Sequence, residues 1–160
     1  MSKDISIMID NIKFTFRVGC IMQYKNSIII EKSPKFKHSV IPGGRVMTLE
    51  DTKSALLREL KEEMNIDFSD REITFHHIIE NFFTMNNIKY HEIYFVYKLI
   101  LNDEDEIVKN RNNRLMNFDS DGDWYEFVDI DKLDNVYILP AELKEIVKSN
   151  EFGKKVVRDN

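Results

Sequence analysis

The segment Gly44–Ile66 reads G-R-V-M-T-L-E-D-T-K-S-A-L-L-R-E-L-K-E-E-M-N-I, and its second half has the spacing of a helix. Residues three and four apart share one helix face. Glu59, Glu62 and Glu63 therefore fall within an arc of ~100°. Three carboxylates so close repel one another unless a cation sits among them, and a hard divalent ion takes oxygen ligands of this kind. Leu56, Leu57, Leu60 and Met64 form a second stripe, which predicts a helix docked on a core. Ala55, on the acidic side one turn before Glu59, is read as leaving room for something to approach. Upstream, Pro42-Gly43-Gly44 predicts a tight turn able to point a peptide carbonyl at the same ion. Glu50-Asp51-Thr52 supply polar caps and negative charge at the helix start, so the helix is predicted over residues 51–64.

An acidic helix face is most often solvated surface, and a bare E-x-x-E-E would carry little. The distinguishing feature is the full order: a glycine turn, a glutamate six residues on, an Arg-Glu pair eight residues later, then Glu-Glu. That order resembles the signature of the Nudix (MutT-type) hydrolases, G-x5-E-x7-R-E-U-x-E-E-x-G-U, with U a bulky aliphatic residue. Gly44, Glu50, Arg58-Glu59-Leu60, Glu62-Glu63 and Ile66 match it. One fixed position departs, Asn65 standing for the last glycine. Asparagine is the next most tolerant residue of the left-handed conformation that ends such a helix, so the departure bears on the turn and hardly on the chemistry.

The resemblance implies an α/β fold, a Nudix-type α/β/α sandwich with a mixed central sheet. It implies a pyrophosphohydrolase that cleaves a nucleoside diphosphate linked to another moiety, by attack of a metal-activated water. Carried over residue by residue, Glu59, Glu62 and Glu63 would be metal ligands for Mg²⁺ or Mn²⁺, with the Gly43 backbone carbonyl as a further ligand. Arg58 would orient its carboxylate neighbours. Gly44 would shape the turn, and Glu50 would support it or bind a second ion. Glu59 is the first choice for general base. The resemblance also implies an extra acid from a downstream loop, for which Asp121, Asp123 and Glu126 are the candidates. The run Asp119–Asp123 is not a calcium hand, because glycine stands at position 4 and Ile130 at position 12; a turn before a strand at Trp124 fits better.

The rest of the chain agrees with one domain spanning 1–160. Its 160 residues are 42% apolar, long enough and apolar enough for a core. The 23 basic against 28 acidic residues, net −5, argue against a broad nucleic-acid-binding face. The lone Cys20 excludes an internal disulfide and fits a reducing cytoplasm. The start Met1-Ser2-Lys3-Asp4 lacks an apolar leader, and no stretch is long enough to span a membrane.

Apolar alternation predicts strands at residues 5–10 and 13–24, with a turn at Lys25-Asn26 into a strand at 27–30. A basic loop over 33–39 leads to a strand end at Val40-Ile41. A long hairpin, 73–84 with 89–101, turns at Asn86-Asn87. Residues 102–123 read as loop with a short helical piece, 124–128 as strand, and 141–149 as a helix after Pro140. His76 and His77, adjacent on a strand, should face opposite sides, and Glu92 is a minor candidate for a metal or base role. Phe82, Phe83, Tyr90 and Trp124 are able to stack on a base but fit ordinary strand positions better. Lys32, Lys35, Lys37, His38 and Arg45 flank the glycine turn and are candidates for meeting phosphates.

The expected partner is a small nucleotide, with no membrane; a homodimer is open. Two other classes stay alive: a non-catalytic nucleotide-sensing module, and a pyrophosphohydrolase of RNA ends. The first would commonly lose a signature acid, and the second should show a basic, aromatic groove.

Overall fold

A computed structural model describes residues 3–159; Met1, Ser2 and Asn160, part of the leader and domain-extent readings, lie outside the described residues. Among the described residues, nine strands and three short or medium helices follow one another in the order β1 (Ser6–Ile9), β2 (Ile12–Tyr24), β3 (Ser27–Lys32), β4 (Gly43–Arg45), α1 (Thr52–Met64), β5 (Ile73–Met85), β6 (Ile88–Ile100), α2 (Glu106–Lys109), β7 (Leu115–Met116), β8 (Trp124–Asp129), α3 (Leu143–Lys148) and β9 (Lys154–Asp159), with a 3-10 turn at Ile130–Asn135 before α3. The strands form one mixed sheet in the order β7-β8-β3-β2-β6-β5-β9, with β1 and β4 also pairing β2.

Strand alternation explains the layers. Val18, Cys20 and Met22 of β2 face the side that packs Leu56, Leu60 and Met64 of α1. Ile21 of β2 faces the other side, where it joins Ile28, Ile79, Val96, Leu133, Leu143 and Ile146. The sheet thus has an apolar core on each face with helices over both, the expected α/β/α sandwich. Among the described residues, no helix is long and apolar enough to cross a membrane.

How β2 is paired matters most for the site. It runs parallel to β6 over Ile12–Gln23, yet it meets β3 only at Gln23↔Ile28 and Tyr24↔Ser27, beside their turn. Further along, β4 takes over the freed edge of β2, pairing Arg17, Val18 and Gly19. The β2–β3 hairpin therefore opens away from its turn, and residues at the far ends of the two strands line a divide in the sheet.

Helix α1 has the ends its sequence calls for. Asp51 is the N-cap, its carboxylate accepting from the backbone N–H groups of Lys53 and Ser54. Asn65 closes the helix in the left-handed region, φ 57° and ψ 32°, its N–H donating to the Lys61 carbonyl. Asn65→Gly is expected to be neutral or to stabilise by a few tenths of a kcal/mol, roughly what a relieved left-handed side chain returns. Thermal melting checks it, and a marked loss would refute this account of the helix end.

Several expectations need correction. Gly43 and Gly44 do not make a tight turn: after a bend at Pro42 both lie in the short strand Gly43–Arg45, held there by pairing with β2, whereas Val40 makes only a bridge to Glu31. The final helix is shorter, starting at Leu143 because residues 140–142 form a turn. Strand β9 escaped the pattern; it adds to β5 in parallel, His77↔Lys154 onward. His76 and His77 do not face opposite sides, because the ladder slips between Phe75 and His77. Their rings stack with centroids 4.5 Å apart and their Nδ1 atoms touch. Ala55 leaves no open space: it is fully buried in the core under α1.

Candidate active site

Gly43 and Gly44 each leave room that no other residue can. Gly43 has φ 152°, and a Cβ there would overlap the Val18 carbonyl oxygen and stand 2.7 Å from the Gly19 Cα, so β4 lies against β2 only because position 43 is glycine. A Cβ on Gly44 would meet the Glu59 carboxylate, 2.6 Å from Oε1. The small residue that gives Glu59 its space is thus Gly44, not Ala55.

Arg58 binds the turn to the helix. Its Nε and Nη2 donate to the two oxygens of Glu50 at 2.8 and 2.9 Å, and Nη2 also reaches the Arg45 carbonyl at 3.0 Å. Nη1 donates to Glu59 Oε1 at 2.8 Å and to Glu62 Oε2 at 3.4 Å. Glu50 also accepts from the Met47 N–H. Its oxygens are occupied as a strut for the turn, which favours the supporting role over a second ion. The Arg58 hydrogen bond holds the Glu50 carboxyl below its ordinary range.

The remaining signature acids divide. Glu62 is half-exposed, and among the described residues its ion pair is with Arg58, at 3.4 Å. Glu63 turns inward, where the Tyr125 hydroxyl donates to Oε2 at 3.1 Å. Around it lies an acid that the sequence reading missed. Glu31, near the end of β3, accepts from Asn117 Nδ2 at 3.1 Å. Burial pushes the Glu63 carboxyl up to about 8, with the charges of Glu31 and Glu59 adding to it. Glu31 rises to about 6, again by burial first and then by Asp123. Glu59 is raised by burial, against Arg58. A charge interrupting the run Ile28-Ile29-Ile30-Glu31 is the signal that marks Glu31 in the sequence.

Of the loop acids, Asp123 is the one brought to this cluster. Its Oδ2 accepts from Ser120, while Oδ1 is buried without a partner among the described residues. Asp121 is exposed. Glu126 accepts from Trp124 Nε1 at 2.9 Å and pairs with Lys32 at 3.1 Å, so it is engaged elsewhere. Glu92 is buried, accepting from Thr15 and Asn81. Arg45 pairs with Asp4. His38 lies 5.4 Å from Phe36 and 6.1 Å from Tyr137, ring centre to ring centre. The aromatic candidates have partners of their own: Phe83 stacks on Tyr90, Phe82 lies tilted against His91, and Arg114 covers Trp124.

The donor set fits a hard divalent cation. All candidate ligands are carboxylate or carbonyl oxygens, and the Glu63 carboxyl is raised by burial and then by the neighbouring charges of Glu31 and Glu59, both of which a bound cation would offset. Among the described residues, no three His, Cys, Asp or Glu side chains converge on one point as they stand. Ligation by Glu59, Glu62 and Glu63 together therefore requires side-chain rotation.

These shifts set a pH dependence for the metal-free protein. The Glu63 carboxyl moves from 4.5 to about 8, and that of Glu31 from 4.5 to about 6. In that window the folded chain holds protons that the unfolded chain has released. Stability is present in full below the unfolded values and is lost as pH rises through the folded ones. The melting temperature of the metal-free protein is expected to fall between about pH 5 and about pH 8. Differential scanning calorimetry checks this, and a rise across the window would refute it.

The glycines of β4 are thus clamped through Arg58 and Glu50 to a helix of carboxylates, beside a divide in a mixed sheet. The NUDIX domain model matches residues 13–148, and the chain belongs to that family, as a hydrolase acting on phosphoanhydride bonds. Solved structures share the fold. The MutT protein from Bacillus halodurans superposes with a TM-score of 0.64 at 16% identity, covering 91% of this chain and 90% of its own. The MutT protein from Methanosarcina mazei Go1 gives 0.58 at 15%, covering 84% and 91%. The C. elegans Ap4A hydrolase gives 0.56 at 18%, covering 84% and 94%. No curated protein matches the chain.

Proposed function

We propose that this chain, acting as a single domain, is a metal-dependent pyrophosphohydrolase that cleaves a small nucleoside diphosphate linked to another moiety. The observation that carries the reading is the acidic cluster of Glu59, Glu63 and Glu31 beside Gly44 of β4, with Glu63 raised to about 8. Glu59, Glu62, Glu63 and the Gly43 carbonyl would hold Mg²⁺ or Mn²⁺. When bound, such an ion neutralises phosphate oxygens and lowers the pKa of water.

The chain's own groups do the rest. Arg58 fixes Glu59 through Oε1, and Tyr125 fixes Glu63. Glu31, with a carboxyl near 6, accepts a proton from an attacking water more readily than Glu59, whose Oε1 is already held by Arg58. Buried Cys20 accords with a cytoplasmic setting.

The test is product release from a panel of nucleotides under Mg²⁺ and Mn²⁺. Because the fold neighbours include MutT proteins and an Ap4A hydrolase, the panel holds nucleoside triphosphates, an oxidised guanine nucleotide and a dinucleoside polyphosphate. ADP-ribose and nucleotide sugars complete it. Turnover of one member by the wild-type chain, strongly reduced in Glu63→Gln, is expected. Silence across the panel would overturn the reading.

A further inference from the structure

Arg17 stands on β2 where the hairpin has opened, paired across the backbone with Arg45 of β4 and Tyr94 of β6. It is partly buried. Glu92, Tyr94, Glu63 and Glu31 all lie close enough to act on its charge. Yet among the described residues no acceptor forms a hydrogen bond or ion pair with its guanidinium. A permanently charged fork of five N–H donors, half out of water and left unfilled, is an unusual arrangement.

The surroundings explain how it is kept open. Each nearby carboxylate is tethered by a neutral donor instead. Glu92 is held through Oε2 by the Thr15 hydroxyl at 3.1 Å and through Oε1 by Asn81 Nδ2 at 3.2 Å. Glu31 is held by Asn117, and Glu63 by Tyr125. Three acids thus supply a field that favours the Arg17 cation without closing on it. What fits an unfilled guanidinium is an anion with two oxygens to match the fork, and phosphate oxygens do so.

We propose that Arg17 is a catalytic residue that grips a phosphate oxyanion of the substrate from the strand side of the divide, opposite the carboxylates of α1. Thr15, Asn81, Asn117 and Tyr125 are positioning residues that keep the acids off it. The assignment rests on the phosphoanhydride reading above, but it concerns binding and is testable without turnover.

The test is calorimetric titration of metal-free wild type, Arg17→Lys and Arg17→Gln with ADP, inorganic pyrophosphate and adenosine. Both charged probes are expected to bind Arg17→Gln at least about 10-fold more weakly than wild type, because a charge-assisted fork is lost. Arg17→Lys should fall between, keeping the charge but not the fork. Adenosine should bind all three alike. Melting temperature identifies any variant that fails to fold, and Arg17→Lys then carries the comparison. Equal binding of ADP and pyrophosphate by the three proteins overturns the proposal, as does wild-type protein that binds neither. If ADP binding depends on Arg17 while no substrate is turned over, the hydrolytic reading fails and this one stands.

Discussion

Glu63→Gln is expected to lower divalent-metal-dependent turnover by roughly two to three orders of magnitude, the scale seen when one electrostatic stabiliser of a phosphoryl or acyl transition state is removed. The amide keeps the shape and still accepts from Tyr125, so the fold should survive. The metal-free variant should in fact be more stable than wild type near pH 8, because the cost of burying a charged carboxylate, and with it the repulsion by Glu31 and Glu59, disappears. It should also lose most of the fall in melting temperature between about pH 5 and pH 8, since Glu63 has the larger of the two shifts. Steady-state kinetics with Mg²⁺ and a melting series against pH together check the assignment. Turnover within a factor of a few of wild type would mean that Glu63 is not a ligand.

Arg58→Lys should damage the protein in a different way. Its guanidinium satisfies both oxygens of Glu50, one of Glu59 and the Arg45 carbonyl at once. An ammonium cannot reproduce that fork. The side chains of Arg58, Glu50 and Glu59 are 22%, 17% and 12% exposed, so the ion pairs are only partly screened by water. The expected cost is about 2 kcal/mol of folding stability, below the 3–5 found for a fully buried pair that loses one partner. Turnover should drop with it, because Glu59 is no longer held beside Gly44. Urea denaturation measures the first and kinetics the second; an unchanged midpoint would show that the clamp is ornamental.

The sequence discloses α1 almost completely because its information is local. Asp51, Leu56, Leu60, Glu59 and Asn65 lie within one segment, and helical geometry turns their spacing into a face, a cap and an end. The other wall of the site escapes the same reading for a physical reason. Arg17, Glu31, Asn117 and Tyr125 come from separate strands and a loop, and only sheet pairing brings them together. Nothing in their spacing signals contact. Glu31 came nearest to detection, as a charge closing an isoleucine run. The histidine pair failed differently: strict alternation places His76 and His77 on opposite sides, and one slipped register between Phe75 and His77 cancels that rule. Ala55 was misjudged because the acidic and apolar sides of α1 meet there, and burial decided for the core.

The Arg58 clamp has a consequence for how this protein can change over generations. It joins Arg45, Glu50, Glu59 and Glu62, all within about twenty consecutive positions of the chain. That stretch carries its own internal bracing and is inherited as a block. The facing wall is assembled from distant stretches of the gene, each free to drift by itself. Altered substrate preference can therefore arise one strand at a time while the clamped block passes on unchanged. A library aimed at new substrates should leave residues 43–65 alone and diversify the strands across from them.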